Sequence, residues 1–405
     1  MRNKTKIFGI GNWEGRTSWP LKDIKVETEN IKILGIRYSN LYINTINACW
    51  SETFDKIEKQ IKAVTNRHLT LFQKVIMINT LFTSQVWYKA QTYPLPINWA
   101  KSINRILLKY LWGNKSNPIK FETLTLSKES GGLGLVDIYT KAKCVFSYRL
   151  MIQFLQDLNQ TSILAYYNAM TINPIFKIRT MPQNVSYVNA PYFPQGIDYI
   201  RKSIHLRNFP NIKSKDIYES ISEKCPPTIQ QKYPFNNWKN IWQNLTSQII
   251  SVRNREILFK YLHGILPNKV RLKQIGLSAS NLCNQCQVPE TNKHMVYQCE
   301  DITEVKDFLI RLLRHLGFLE VEMEKLIIMD LPKLDKKLKC STIFILSIYV
   351  VTIWYGRTNK SLILRSFICN IIAEKKLIEK VLGDKFRSCF TEKLQNLNKT
   401  ILETI

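Results

Sequence analysis

Leu282-Cys-Asn-Gln-Cys-Gln-Val-Pro-Glu-Thr-Asn-Lys-His-Met-Val-Tyr-Gln-Cys-Glu300 places Cys283, Cys286, His294 and Cys299 in the pattern C-x2-C-x7-H-x4-C. Two cysteines three positions apart can clasp one ion from a tight turn, and the later histidine and cysteine can close a tetrahedron. Cys3His is a donor set that zinc favours, with a filled shell and no position open to a reacting water. Three of the chain's nine cysteines and one of its five histidines fall in this short window, so a structural Zn2+ site is expected. Three thiolates outweigh the two charges of the metal. The cluster therefore calls for a cationic neighbour, and Lys293, next to the histidine, is the candidate by sequence.

Outward from this stretch, the charge balance sets the class of partner. The chain has 405 residues, enough for two or three domains, and Lys plus Arg exceed Asp plus Glu by 58 − 31 = 27. Such an excess fits a polyanion. Nucleic acid fits better than a membrane, because no lipidation motif or basic amphipathic anchor is present. The other cysteines are scattered, and the first residues lack the apolar core of a signal peptide. A reducing intracellular compartment, nuclear or cytoplasmic, is therefore expected rather than secretion.

The periodicity predicts a mainly α chain. Residues 1–45 hold two apolar runs, Lys6–Ile10 and Ile31–Ile36, read as two strands around a Gly/Trp/Pro-rich turn region. Gly9, Gly11 and Gly15 miss the spacing of a dinucleotide loop. A helix follows from Asn47, with Phe54, Ile57, Ile61 and Val64 inward and Lys56, Lys59 and Lys62 outward. A second helix is expected over Leu69–Trp87, with Phe72, Val75, Ile76 and Val86 in the core, ended before Pro94 and Pro96. A third carries Ile103, Ile106, Leu107, Tyr110 and Leu111 inward and stops at Gly113. Between Lys56 and Lys128 twelve basic residues face two acids, an excess that reads as a surface tracking phosphates. Arg67, Lys74, Lys101, Arg105 and Lys109 belong to it. Gly131-Gly132-Leu133-Gly134-Leu135 reads as a turn demanded by backbone geometry rather than a phosphate cradle. Residues 151–235 read as a connector of short helices and loops. Helical patterning returns from Trp238, and Arg253, Arg255 and Lys260 lie in a basic stretch before the cysteines. Ser341–Tyr355 is an apolar run too short to span a bilayer comfortably, so a buried helix is expected. His68, His205, His263 and His315 are isolated and read as packed or surface residues.

Several pieces in this order resemble one family, the thumb and C-terminal region of reverse transcriptases from LINE-type non-LTR retrotransposons. They are Ile31-Lys-Ile-Leu-Gly-Ile36, Arg67-His-Leu-Thr-Leu-Phe-Gln-Lys-Val75, Tyr110-Leu-Trp-Gly113, the Gly131–Leu135 turn, Phe259-Lys-Tyr-Leu-His-Gly-Ile-Leu-Pro267 and the Cys3His cluster with Glu290-Thr291. The resemblance implies a palm remnant over 1–45, with Asn3-Lys4-Thr5 as the last palm motif and Ile31–Ile36 as the primer-grip strand. It further implies a helical thumb over 46–150, a zinc-knuckle domain over 236–330, and a C-terminal helical region over 331–405. Cys283, Cys286, His294 and Cys299 would be the knuckle's ligands, associated in the family with binding RNA. Read from the residues alone, Tyr297 in this stretch is expected either to stack on unpaired bases or to pack against the zinc site.

The sequence departs from the family at its chemistry. Polymerases hold two Mg2+ ions on a cluster of carboxylates, which in this family includes an Asp-Asp pair, and no Asp-Asp pair occurs in these residues. Mg2+ would enter only with a palm supplied from elsewhere. The expected function is a fragment that binds RNA or DNA, mainly through phosphates, without catalysing polymerisation. Two alternatives stay open: a truncated form of an active reverse transcriptase, and a helical adaptor that binds protein.

Overall fold

The computed structural model describes residues 5–20, 24–40, 42–113, 117–157, 213–222, 225–318, 322–357 and 363–382. Asn3, Lys4, the Tyr192–Pro194 segment, His205 and Cys389 lie outside them. The fold is mainly helical, with four three-residue strands at the start. Two compact units divide the chain. The first takes 1–69, 73–116 and 135–223; the second takes 70–72, 117–134 and 224–405.

In the first unit β1 (Lys6–Phe8) pairs in parallel with β2 (Lys25–Glu27), and β3 (Ile31–Ile33) pairs antiparallel with β4 (Ile36–Tyr38). The single strand expected over Ile31–Ile36 is thus a hairpin with its bend inside the run. Leu34 and Gly35 both take positive φ, 48° and 85°, which two-residue hairpin turns require. Glycine adopts this readily; Leu34 does so with its side chain 85% exposed. The β2 strand went unforeseen, since Lys25-Val26-Glu27 offers only one apolar residue.

Helix α1 (Tyr42–Val64) holds the hairpin through Glu52, which accepts from Arg37 and lies 3.3 Å from Lys32. Its Trp50 is fully buried and donates to the Pro94 carbonyl at 3.0 Å. The expected helix Leu69–Trp87 is broken into α2 (Leu71–Met77), a π turn (Ile78–Phe82) and α3 (Ser84–Ala90). Phe72, Val75 and Val86 are buried whereas Ile76 is 53% exposed. Helix α4 (Ile97–Trp112) starts after Pro96 and stops at Gly113, whose φ is 72°. Proline is excluded from a helix interior, and glycine accepts the positive φ that ends one. Ile103, Leu107, Tyr110 and Leu111 are buried as the period requires, and Ile106 is half-buried. Helices α6 (Ile138–Asp157) and α7 (Ser214–Ile221) pack together.

The second unit contains α5 (Phe121–Thr125), α8 (Thr228–Lys232), α9 (Trp238–Leu245), α10 (Val252–Leu262) and α11 (Lys269–Gln274). Then follow α12 (Thr303–His315), α13 (Met323–Leu326), α14 (Lys336–Gly356) and α15 (Ile363–Leu382). Asn237, Ser251 and Asn268 cap α9, α10 and α11 through side chains that accept from the first-turn amides, each worth about 1 kcal/mol. The Gly131 turn is packed as the sequence indicated. A Cβ on Gly131 would lie 2.5 Å from the Trp242 ring, and one on Gly132 would lie 2.0 Å from the Leu126 carbonyl. Helix α14 is long and apolar enough to cross a membrane by composition, yet residues 341–353 are buried inside the unit. Its role is that of the central core helix.

Candidate metal centre

Two local structures bring the four sulfur and imidazole groups together. The first is a narrow loop in which Leu282 bridges Pro289 and the Cys283 amide donates to the Val288 carbonyl at 2.7 Å. Gln287 closes it at φ 53°, a conformation that costs an L-residue about 1–2 kcal/mol. The second is a π turn over His294–Gln298, in which the Cys299 amide donates to the His294 carbonyl at 2.8 Å. Residues five apart diverge around an α-helix, whose side chains meet at three and four. The wider turn, followed by extended backbone at Cys299, returns both ligands to one point.

The four donor atoms all lie within 4.8 Å of one another. The Sγ atoms of Cys283 and Cys286 each stand 3.8 Å from that of Cys299. A disulfide would need about 2.05 Å, so these are free thiols. A tetrahedral ion with metal–sulfur bonds of about 2.3 Å has a sulfur–sulfur edge of about 3.8 Å, which the cluster matches. His294 is buried and its Nε2 has no hydrogen-bond partner. An unsatisfied buried polar atom costs about 1–3 kcal/mol, and a bond to an ion at this point would remove that cost. The donor set therefore fits a metal ion.

The electrostatics agree. Burial pushes the Cys299 thiol up to about 12. At Cys283 burial acts the same way, but the backbone amides of Cys286 and Gln285 outweigh it and leave that thiol below its ordinary range. The Glu300 amide points at Cys286 Sγ from 3.4 Å, and the Asp301 carboxylate stands 3.9 Å from Cys299 Sγ. A cation in the midst of these sulfurs would draw the proton from Cys299, since metal ligation takes the thiolate. The outer cation is not Lys293, which pairs instead with Glu324 at 2.9 Å. Arg357 is the cation that lines the same hollow as Cys283, His294 and Cys299. Arg357 stacks 4.0 Å over Trp354, donates to the Pro267 carbonyl and lies 3.6 Å from Glu290.

The positioning residues escaped the sequence reading. Tyr349 on α14 donates to the Val296 carbonyl at 3.0 Å, fixing the π turn to the core helix. Asn292 donates to the Tyr261 carbonyl, and Asn268 donates in turn to Asn292. The signals they carry in the sequence are a cap-forming residue type at Asn268 and, at Asn292, nearness to the histidine.

The basic residues divide into exposed rows and structural pins. Lys101, Arg105 and Lys109 recur every four residues on α4 and are all exposed, and none forms an ion pair among the described residues. Lys56, Lys59 and Lys62 are exposed on α1, where Lys62 pairs with Glu58 at 3.2 Å. Arg67 and Arg253 are exposed too. Lys74 instead reaches the Leu111 carbonyl and the face of Tyr110. Arg255 is spent on the carbonyls of Ser247 and Ile250, and Lys260 on Glu256 at 2.6 Å. Tyr297 is half-buried, with the Lys306 ammonium 5.6 Å from its ring. No protein-family model matches this chain, and no curated protein matches it.

Proposed function

We propose that this chain is a nucleic-acid-binding region of a LINE-type retrotransposon reverse transcriptase, with a helical thumb and a structural zinc knuckle. The observation that carries the binding function is the unpaired row Lys101, Arg105 and Lys109 in a chain with a net charge of +27. A row of that spacing presents cations along one side of a helix, where successive phosphates can meet them. Cys283, Cys286, His294 and Cys299 would hold the zinc, whose contribution is a closed, charge-neutralising cross-link between the narrow loop and the π turn. Its filled shell leaves the protein residues no substrate to activate. Without an Asp-Asp pair, these residues bind a template or primer rather than extend it.

One set of measurements tests both halves. Metal analysis should return one zinc per chain, lost in Cys283→Ser and in Cys299→Ser. Duplex DNA should bind with log K falling against log salt; about five phosphate contacts give a slope near −4 to −5. Replacing Lys101, Arg105 and Lys109 with alanine should flatten that slope by up to about three. A flat slope in the parent would refute nucleic-acid binding, and a chain that carries no zinc would refute the knuckle.

A further inference from the structure

The connection between β1 and β2 contains a stack that neither the metal centre nor the basic rows explain. The rings of Trp13 and Trp19 lie 5.2 Å apart and within 24° of parallel. The Arg16 guanidinium sits 4.6 Å from the first ring and 5.1 Å from the second. Local bonds hold it in place: Arg16 Nε donates to the Ser18 carbonyl, and Trp19 Nε1 donates to the Arg16 carbonyl. The base of the loop is fixed as well. Asn40 donates to the Gly9 carbonyl at 3.0 Å, and a Cβ on Gly9 would lie 1.9 Å from the Trp13 carbonyl oxygen.

This stack covers no core, for Trp13 is 49% exposed and Arg16 is exposed. The guanidinium is the charge held against the rings, and Glu14 is the acid between Trp13 and Arg16. Glu27 on β2 is bonded by Lys6 and Lys25, at 2.7 and 3.0 Å, and those bonds hold its carboxyl below the usual range. An exposed indole face beside a guanidinium asks for a ligand with both a flat π surface and negative charge. An unpaired nucleotide has both, whereas in a duplex each base face is already covered by its neighbours.

We propose that Trp13, Arg16 and Trp19 form a stacking platform for an unpaired base of a single-stranded nucleic acid. Trp13 offers its open face to the base, Trp19 backs it, and Arg16 reaches the adjoining phosphate. The inference rests on the nucleic-acid reading and adds base stacking on Trp13, a contact insensitive to salt, to the phosphate row on α4.

The test uses the full chain with three labelled probes: a short oligo(dT), an abasic strand of the same length, and a duplex. Stacking on one base is worth about 5- to 150-fold in affinity. Trp13→Ala should lose that factor on oligo(dT) alone, with the salt slope, the abasic strand and the duplex unchanged. Trp13→Phe should recover part of the loss. Ultraviolet cross-linking of the parent to iodouracil-substituted oligonucleotide should mark the peptide containing Trp13, which reads the contact without any variant. Cross-links confined to other peptides, or a Trp13→Ala chain that binds oligo(dT) like the parent, would overturn the platform while leaving duplex binding to support the wider reading. Equal losses on all three probes would make the stack a structural brace. An acidic peptide that displaces oligo(dT) as well as the abasic strand does would assign the site to a protein partner instead. A parent that binds none of the probes would remove the nucleic-acid reading and the platform with it.

Discussion

Acidification should destabilise the second unit through His263. This imidazole is buried, stacks 5.1 Å from the Trp242 ring, and shares a 2.9 Å hydrogen bond with the Gly131 carbonyl. A carbonyl only accepts, so Nε2 carries the proton and donates. Burial lowers the pKa of His263 from 6.5 to about 4, against a smaller upward pull from that carbonyl. The folded chain therefore keeps the ring neutral while the unfolded chain takes up a proton first. The stability this contributes is full above about pH 6.5 and is lost as pH falls towards 4. Each pKa unit is worth about 1.36 kcal/mol, so the shift amounts to about 3 kcal/mol in all. About 2 kcal/mol of that should be gone by pH 4.5. Urea unfolding followed by tryptophan fluorescence at pH 7 and pH 4.5 measures the loss. The control is His263→Gln, whose amide can still donate to Gly131 but does not titrate. The variant should be less stable at pH 7 and lose about 2 kcal/mol less on acidification. If parent and variant lose the same amount, or if the His263 resonance titrates near pH 6.5, the ring is not the buried neutral group described.

Two further outcomes test the turns. Gly131→Ala must place a methyl group against the Trp242 indole at a backbone φ of 86°, so chemical denaturation should show a loss of at least 2–3 kcal/mol, combining overpacking with left-handed strain. At Gln287, glycine should be tolerated with metal content unchanged and stability raised by up to about 1 kcal/mol. Valine there, β-branched at φ 53°, should lower the affinity for zinc, measured by competition with a chromophoric chelator.

What could be read from sequence was chemistry carried by residue type and local spacing. Cys283, Cys286, His294 and Cys299 announced a tetrahedral donor set, and Pro96 and Gly113 bracketed a helix, because each acts through its own backbone or side chain. The burial of 341–353 followed from length and apolarity alone, whereas Tyr355 at the end of the expected run is 64% exposed. What was missed depends on partners distant in the chain. Nothing in Lys293-His294 reveals that Lys293 turns away to Glu324 while Arg357 lines the hollow beside the cluster. The π turn at Ile78–Phe82 lies inside an unbroken helical period with no glycine or proline to mark it. The bend at Leu34 was hidden because leucine there reads as strand, and only Gly35 hinted at a turn. Arg255 counted as a phosphate ligand by charge, yet its fixed fork of donors is occupied by the carbonyls that end the preceding segment.

The bond between His263 and Gly131 joins residues 132 positions apart, and that separation has a meaning on the ribosome. At roughly 5–20 residues per second, synthesis needs about 7–26 s to carry the chain from one partner to the other. Throughout that interval the Gly131 turn waits without Trp242 and His263 to close over it. The second unit is therefore completed late in translation, and its early segment spends seconds as unsatisfied apolar chain, within reach of chaperones and of other nascent copies. A ribosome that pauses between residues 134 and 238 would lengthen this exposure, whereas one that pauses after His263 has emerged from the exit tunnel would leave it unchanged.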